Sequence, residues 1–188
     1  MRTFLAIDVN SKEAIKRIVD LQKKLLESGA DLKLVEPQNL HFTIKFFGEL
    51  NETDVNELVK RVKNLHTKPI DVTYKGIGVF PHLRHISVIW VGVDSEGEKK
   101  LREVAERVNE LLIGFKYKDR DDKPFQPHIT ISRVKSNRNK DRLLNVITDY
   151  RDYIFGNDTL NSIKLKKSEL TPKGPIYTDL YTFPFVEG

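Results

Sequence analysis

The 188-residue sequence predicts an α+β fold in which two similar lobes of antiparallel sheet and helices surround a central cleft. Strand and helix patterns interleave, but short turns join several strand pairs, which is typical of antiparallel rather than doubly wound parallel sheets. A His–apolar–Thr–apolar pattern occurs twice, nearly half a chain apart, as expected of a duplicated lobe. With 39% hydrophobic residues, the chain can bury a core, so we expect a single domain over residues 1–188.

The first half of the chain predicts two strands and two helices. Residues 3–9 are mostly apolar and end at an Asn–Ser pair, so they predict a buried strand followed by a helix cap. Residues 11–28 carry apolar side chains at helical spacing until a glycine ends the pattern. A Pro–Gln–Asn turn leads into a strand over residues 40–47, and residues 52–66 predict a second helix with Thr53 as its candidate cap.

The second half predicts five strands, two helices and one long loop. Apolar runs flanked by turn residues predict the strands, which cover residues 70–80, 86–93, 128–134, 160–170 and 175–183. Ser95, with a Glu three residues later, predicts the cap of a helix that runs to residue 112. Helical spacing returns at residues 139–155, whereas the charged, aperiodic residues 114–127 predict a loop.

Composition excludes several classes of protein. Without Cys, the chain cannot form disulfides, thiolate zinc sites, iron–sulfur sites or a Cys nucleophile. No apolar stretch approaches the ~18–20 residues that span a bilayer, no signal-peptide pattern opens the sequence, and no Gly-rich phosphate loop follows a strand. We therefore expect no membrane association and a cytoplasmic location. The net charge of +5 gives weak support for a polyanionic partner.

The repeated pattern places polar side chains on one face of each strand. Residues i and i+2 of a strand point the same way, so His41 and Thr43 share one face while the apolar residue between them faces the core. His128 and Thr130 repeat this arrangement in the second copy. A polar pair on an otherwise apolar strand needs partners, which either a polar cleft or a satisfied core site can supply.

Two facing histidines suit acid–base chemistry on a phosphoester. One imidazole can take a proton from the attacking water or hydroxyl while the other gives a proton to the leaving oxygen. The Thr hydroxyls can donate hydrogen bonds to nonbridging phosphate oxygens. Arg133 can add a charge-assisted contact, but its odd spacing from His128 puts it on the opposite strand face unless the strand bulges, twists or ends there.

Other interpretations of the histidines are weaker. A single His in a strand is usually a packing or surface residue, but two copies with the same flanking pattern rarely arise by chance. Two His without carboxylate or Cys companions make a poor zinc site, so we expect no metal. We expect His66, His82 and His85 at surface or turn positions.

At these motifs the chain resembles the 2H phosphoesterase superfamily and, within it, the RNA 2′,3′-cyclic phosphodiesterases formerly called 2′-5′ RNA ligases. That family carries two His–apolar–Thr/Ser–apolar tetrads, which here occupy residues 41–44 and 128–131. Further similarity extends over nearly the whole chain, at residues 2–7, 46–49, 90–92, 127, 133, 167–171 and 174–177. The turn at residues 81–86 departs from the family, which tends to have a compact Arg-containing turn there.

The resemblance implies an enzyme without metal or cofactor that hydrolyses the 2′,3′-cyclic phosphate end of an RNA to a 2′-phosphate. His41 and His128 would be its catalytic pair, and Thr43, Thr130 and Arg133 would bind the phosphate. The two motifs are nearly symmetric and give little basis for dividing the roles; we take His41 as the acid and His128 as the base. The reverse reaction on the same atoms would join tRNA halves through a 2′-5′ linkage. Two alternatives stay open: a 2H enzyme acting on a small nucleotide, such as ADP-ribose 1″,2″-cyclic phosphate or 2′-5′ oligoadenylate, and a noncatalytic RNA- or nucleotide-binding module.

Basic and aromatic residues outside the motifs are candidates for RNA contact. Phe125 or Tyr177 could stack on a terminal base. The basic candidates lie in three segments, at Arg84, at Lys116, Lys118, Arg120 and Lys123, and at Arg138, Lys140 and Arg142. We expect the protein to act as a monomer on RNA, with a nucleotide as a further candidate ligand.

Catalysis by two imidazoles predicts that hydrolysis of a cyclic-phosphate-ended RNA survives EDTA, since no step needs a divalent ion. Turnover measured before and after chelation should agree. Loss of activity in EDTA, followed by recovery on adding a divalent ion, would count decisively against acid–base catalysis.

Overall fold

The computed structural model describes residues 1–117 and 124–187, and within these ranges nine strands and four α-helices confirm the predicted α+β class. The strands are β1 (Arg2–Asp8), β2 (Leu32–Leu34), β3 (His41–Glu49), β4 (Ile70–His82), β5 (His85–Val93), β6 (Ile129–Val134), β7 (Ile154–Leu160), β8 (Ser162–Thr171) and β9 (Gly174–Pro184). The helices are α1 (Lys12–Glu27), α2 (Glu52–Val62), α3 (Ser95–Leu111) and α4 (Lys140–Asp149).

The strands form one antiparallel sheet built from two similar halves. Its order is β7-β4-β5-β6-β3-β1-β8-β9, and β2 pairs beside β6. The first half contains β3, β1, β8 and β9, and the second contains β6, β5, β4 and β7. The halves meet where β3 pairs with β6, so the two strands that carry the repeated motifs are neighbours at the centre of the sheet.

One apolar core lies between the sheet and the helices. α1 packs on β6 and β7 and against α4, while α3 packs on β4 and against α2. The core includes the apolar residues of both motifs, Phe42, Ile44, Ile129 and Ile131. Burying each such side chain stabilises the fold by ~1.5–3 kcal/mol. This fixes the facing of the motif strands, because the polar residues between these apolar ones must then point to the opposite side of the sheet.

Helix caps match the expected chemistry, with small shifts in position. The Ser11 hydroxyl accepts a hydrogen bond from the Ala14 backbone N–H and caps α1, as predicted. Thr53 and Ser95 do not cap the next two helices. Asn51 caps α2 and Asp94 caps α3, since each has an extended backbone and a side-chain oxygen that accepts from an N–H three residues later.

Residues 139–155 do not form one helix, so that prediction is wrong. α4 ends at Asp149, and residues 154–160 form strand β7. β7 lies at an edge of the sheet, where its pairing with β4 runs from Ile70 opposite Leu160 to Lys75 opposite Ile154. The segment has three apolar residues, one glycine and three polar residues without strict alternation, so the pairing with a distant strand decides its conformation. The three-residue strand β2, also missed, is too short to show a period.

Candidate active site

The pairing of β3 with β6 brings the two motifs together. Phe42 lies opposite Ile129 in antiparallel register, so the flanking residues of one strand face those of the other in reverse order. His41 is thus placed beside Thr130, and Thr43 beside His128. Opposed residues in such a pair have Cβ atoms ~4.5–5.5 Å apart. All four polar side chains line one cavity of about 380 Å³.

Each imidazole is oriented by a contact between its Nδ1 and the backbone carbonyl two residues earlier. His41 Nδ1 lies 2.6 Å from the Asn39 carbonyl oxygen, and His128 Nδ1 lies 2.7 Å from the Gln126 carbonyl oxygen. A carbonyl only accepts, so each Nδ1 must carry a hydrogen and donate it. Each neutral ring therefore keeps the lone pair on Nε2. In His41 that Nε2 lies 3.0 Å from Thr43 Oγ1, whose hydroxyl donates to it.

A bulge in β6 brings Arg133 to the cavity. Trp90 lies opposite Thr130 and Ile89 opposite Ser132, so β6 contains one extra residue between these pairs. Ile131 and Ser132 are both buried as a result, and the next side chain returns to the face that carries Thr130. Arg133 consequently lines the cavity despite its odd spacing. Sequence spacing alone predicts that Arg133 lies on the opposite face, because the bulge can be recognised only from the pairing of β6 with β5.

The first motif has an equivalent bulge. Ala6 lies opposite Thr43 and Leu5 opposite Lys45, so β3 also contains one extra residue directly after its Thr. The Lys45 ammonium donates to Asn109 Oδ1 of α3 on the helical side of the sheet. Phe46 then lines the cavity at the position that Arg133 occupies in the second motif. Sequence spacing does not identify Phe46 as a site residue, because the bulge in β3, like the one in β6, is visible only in the pairing with the neighbouring strand.

Aromatic rings hold each imidazole from the side. The centroid of His41 lies 5.4 Å from that of Phe4 and 5.6 Å from that of Tyr177, the latter perpendicular. His128 is perpendicular to Phe80 at 4.9 Å, and its centroid lies 6.1 Å from the Trp90 ring. Together with the Nδ1 contacts, these rings fix the direction in which each Nε2 points.

The electrostatic surroundings of His41 favour its neutral form. Burial lowers the pKa of His41, because desolvation disfavours the charged imidazolium. The Asn39 carbonyl and the Asp8 carboxylate act in the opposite direction, and Lys166 and His128 act in the same direction as burial. The neutral form of His41 is therefore favoured in the free protein.

The charged residues in the rest of the cavity wall are mainly cationic. Arg2, Lys33 and Lys173 join Arg133 around it, and Glu36 is the acidic residue among the lining groups. Lys33 reaches the cavity because it lies opposite Arg133 in the pairing of β2 with β6. Sequence reasoning missed these lysines because each stands in a short strand or turn without a motif. Their charge makes the cavity suitable for a phosphate anion.

The aromatic candidates separate into one residue at the site and one outside it. Tyr177 lines the cavity beside His41. Phe125 is half-buried against the core, and its carbonyl accepts a hydrogen bond from Arg102 at 2.6 Å. Phe125 is not among the residues that line the cavity, so the structure does not bring it to the motifs.

The basic candidates gather outside the cavity. The Lys140 ammonium donates to the Arg84 backbone carbonyl, which joins the start of α4 to the tip of the β4–β5 hairpin. Arg138 Nε donates to the Gly29 carbonyl at 3.0 Å, and Arg142 is exposed on α4. Lys116 is exposed as well, whereas Lys118, Arg120 and Lys123 lie outside the described residues. We call Arg84, Arg138, Lys140 and Arg142 the basic surface.

The part of the chain that the structure describes contains neither a cluster of metal ligands nor a membrane-spanning helix. Among residues 1–117 and 124–187, no three His, Asp or Glu side chains gather closely enough to hold a metal ion. No helix in the same part of the chain is long and apolar enough to cross a membrane.

Comparisons with known proteins agree with this arrangement over nearly the whole chain. The family model described as the AKAP7 2′5′ RNA ligase-like domain matches residues 2–185. An RNA 2′,3′-cyclic phosphodiesterase of Methanocaldococcus jannaschii is 42% identical over 181 residues, covering 94% of this chain and 96% of the relative. A protein of the same name from Methanothermobacter thermautotrophicus is 35% identical over 187 residues, covering 97% and 98%.

Solved structures show the same fold. A Thermus thermophilus protein superposes with a TM-score of 0.81 at 27% identity, covering 98% of each chain. Escherichia coli LigT, crystallised with 3′-AMP, gives a TM-score of 0.81 at 22% identity and covers 99% of this chain and 98% of its own. The fold and the paired motifs define a phosphoesterase of the 2H class. Within that class, the chain belongs to the 2′-5′ RNA ligase-like family.

The burial of His41 predicts that its imidazole titrates below the ordinary histidine pKa of 6.5. Because the shift disfavours the charged form, His41 should lose its proton first as pH rises. Titration of the ring nitrogens by ¹H–¹⁵N NMR, assigned with His41→Ala, measures this directly. In denaturant the same ring should return to the ordinary value, and a native midpoint at or above that value would contradict the prediction.

Proposed function

We propose that this protein is an RNA 2′,3′-cyclic phosphodiesterase that opens the terminal cyclic phosphate to a 2′-phosphate. The observation that carries the proposal is the meeting of His41 and His128 across one cavity, each ring oriented through Nδ1 so that Nε2 is the reactive atom. The names of the archaeal relatives support the substrate. The cationic cavity wall supports a phosphate ligand.

Hydrolysis needs one proton removed and one delivered. A neutral imidazole takes a proton from water as its oxygen attacks phosphorus, and an imidazolium gives a proton to the 3′ oxygen as the phosphorus–O3′ bond breaks. The product keeps its phosphate on O2′. If the 5′ hydroxyl of a second RNA attacks in place of water, the same steps form a 2′-5′ linkage, so this ligase reaction belongs to the same proposal.

The Thr and Arg side chains bind the phosphate. Thr43 and Thr130 would donate hydrogen bonds to nonbridging oxygens, where negative charge builds up in the transition state. The Thr43 hydroxyl donates to His41 Nε2 in the free protein, so substrate binding must turn it from the imidazole to the phosphate. Arg133 and Lys33, opposite each other in their strands, would neutralise the phosphate from the side.

The burial of His41 favours one assignment of the acid and base roles. The sequence-based assignment made His41 the acid, but the two motifs are nearly symmetric and offered little reason for it. Because burial lowers the pKa of His41, its neutral form is favoured near pH 7, and a general base must be neutral. We therefore propose the reverse assignment, with His41 as base and His128 as acid.

RNA is favoured over a free nucleotide by the charge outside the cavity. The chain runs from Arg133 at the cavity to Arg138, Lys140 and Arg142 of the basic surface within a few residues. A small cyclic nucleotide would fill the cavity without reaching that surface. Both motifs come from one chain, so we also propose that a monomer suffices; an intracellular RNA substrate would place it in the cytoplasm. Comparing kcat/KM for cyclic-phosphate-ended RNA, ADP-ribose 1″,2″-cyclic phosphate and 2′-5′ oligoadenylate tests the preference for RNA.

Replacing either catalytic imidazole should nearly abolish turnover of cyclic-phosphate-ended RNA. We expect His41→Ala and His128→Ala each to lower kcat by about 10²–10⁴-fold, and the double variant to fall well short of the product of the two losses. Thr43→Ala and Thr130→Ala should cost less, since each removes one neutral hydrogen bond. If both His variants turn over RNA near the wild-type rate while binding it, the noncatalytic binding module takes the place of the enzyme.

A leaving group that needs no proton should distinguish the acid from the base. In a cyclic phosphorothiolate with sulfur at the 3′ position, the thiolate can leave unprotonated, so an acid is no longer required. We expect this substrate to restore much of the turnover of His128→Ala and little of that of His41→Ala. The opposite pattern in single-turnover rates would make His41 the acid.

The basic surface predicts a steep salt dependence of RNA binding. Changing Arg138, Lys140 and Arg142 together to Gln should flatten the slope of log K against log[salt] by about 2, at ~0.7 per lost single-strand phosphate contact. A matched control removes three exposed lysines on helices α2 and α3, namely Lys60, Lys99 and Lys100. Equal slopes in the test variant and wild type would place the RNA on another surface.

A further inference from the structure

Four charged side chains form a closed ring of ion pairs beside the first motif. They are Asp8 on β1, Lys164 and Lys166 on β8 and Asp179 on β9. Lys166 Nζ lies 3.0 Å from Asp8 Oδ1 and 2.9 Å from Asp179 Oδ1. Lys164 Nζ lies 3.1 Å from Asp8 Oδ2 and 3.2 Å from Asp179 Oδ2. The side chain of Lys166 is only 8% exposed, so its ammonium depends on both carboxylates to be stable there.

The ring lies on the same face of the sheet as the catalytic side chain of the first motif. Asp8 is the partner of His41 in the pairing of β1 with β3, and cross-strand partners project to the same side. Lys166 is the partner of Phe4 in the pairing of β1 with β8, and Phe4 packs on the His41 ring. The ring of ion pairs therefore lies beside His41 on the same face of the sheet.

The second half of the sheet places glycine and tryptophan at the equivalent positions. Val91 lies opposite Ile129 as Ile7 lies opposite Phe42, so Gly92 takes the place beside His128 that Asp8 has beside His41. The Trp90 indole covers Gly92 and Gly78, whose missing side chains leave room for it. Both imidazoles pack against aromatic rings, but Asp8 lies beside His41 where Gly92 lies beside His128.

The groups around His41 act on its proton in opposing directions. Besides burial, which is the largest effect, Lys166 and His128 favour the neutral imidazole, whereas the Asn39 carbonyl and Asp8 favour the imidazolium. Tyr177 of β9 also faces the His41 imidazole, but burial raises the pKa of the Tyr177 phenol, so this phenol stays uncharged. Lys166 and Asp8 are thus the members of the ring that act on His41 directly.

We propose that Lys166 and Asp8 are positioning residues that decide which of the two facing histidines carries the proton. The inference rests on the acid–base function proposed above. Each turnover leaves the proton from water on His41 and removes one from His128, so the next cycle can start only after His41 has released its proton. Lys166 favours that release, and Asp8, fixed by both lysines, limits it so that His41 stays basic enough to accept a proton again.

Opposite changes to the ring test this role. In Lys166→Gln, the His41 midpoint measured by ¹H–¹⁵N NMR should rise, because a repelling charge is lost. In Asp8→Asn it should fall further below the ordinary value, and the double variant should lie between the two. Asp179→Asn is the comparison variant, since it removes two ion pairs from the same ring while Asp8 still pairs with both lysines, and it should move the midpoint less than the change at Asp8 or at Lys166.

The activity profile provides the second measurement. The acidic limb of kcat/KM against pH should move up in Lys166→Gln and down in Asp8→Asn, which a merely structural loss would not produce. Shifts of both variants in the same direction, or no shift in His41, would overturn the inference. A different outcome would refute the proposed function alone. If neither the wild type nor the variants hydrolyse cyclic-phosphate ends, but the His41 midpoint still rises in Lys166→Gln and falls in Asp8→Asn, the effect of Lys166 and Asp8 on His41 stands without the enzymatic activity.

Discussion

The registered pair of Phe42 and Ile129 is the contact on which the site depends. It joins the two halves of the sheet and at the same time sets the two motifs against each other in reverse order. Both side chains are fully buried, so the core packing that stabilises the fold also holds the register. A slip of one residue would turn every polar side chain of one motif into the core, at a large cost in free energy.

Much of this arrangement could be predicted from the sequence because the relevant signals are local or repeated. The alternation of polar and apolar residues in the two motifs gives the facing of His41 and His128, and their duplication indicates a shared cleft. The β4–β5 and β8–β9 hairpins also follow from short turns between apolar runs. Local patterns of this kind need no knowledge of the partner strand.

What could not be predicted depends on contacts between distant segments. Strand β7 is missed, and the predicted helix extends over its first two residues, because its pairing partner, β4, lies some eighty residues earlier. The bulges that bring Phe46 and Arg133 to the cavity appear only when the register with the neighbouring strand is known. The cationic lysines of the cavity wall were missed for the same reason, since Lys33 is placed by its pairing with β6 rather than by any motif of its own.

The contact of Trp90 with Gly78 has a consequence for how the sequence can diverge. Gly78 stands on β4, two strands away from the second motif, and looks like an ordinary strand glycine. Any side chain there would overlap the indole that packs beside His128. The two positions are therefore expected to covary in evolution: a larger residue at position 78 becomes acceptable only in lineages that have already exchanged Trp90 for a smaller residue.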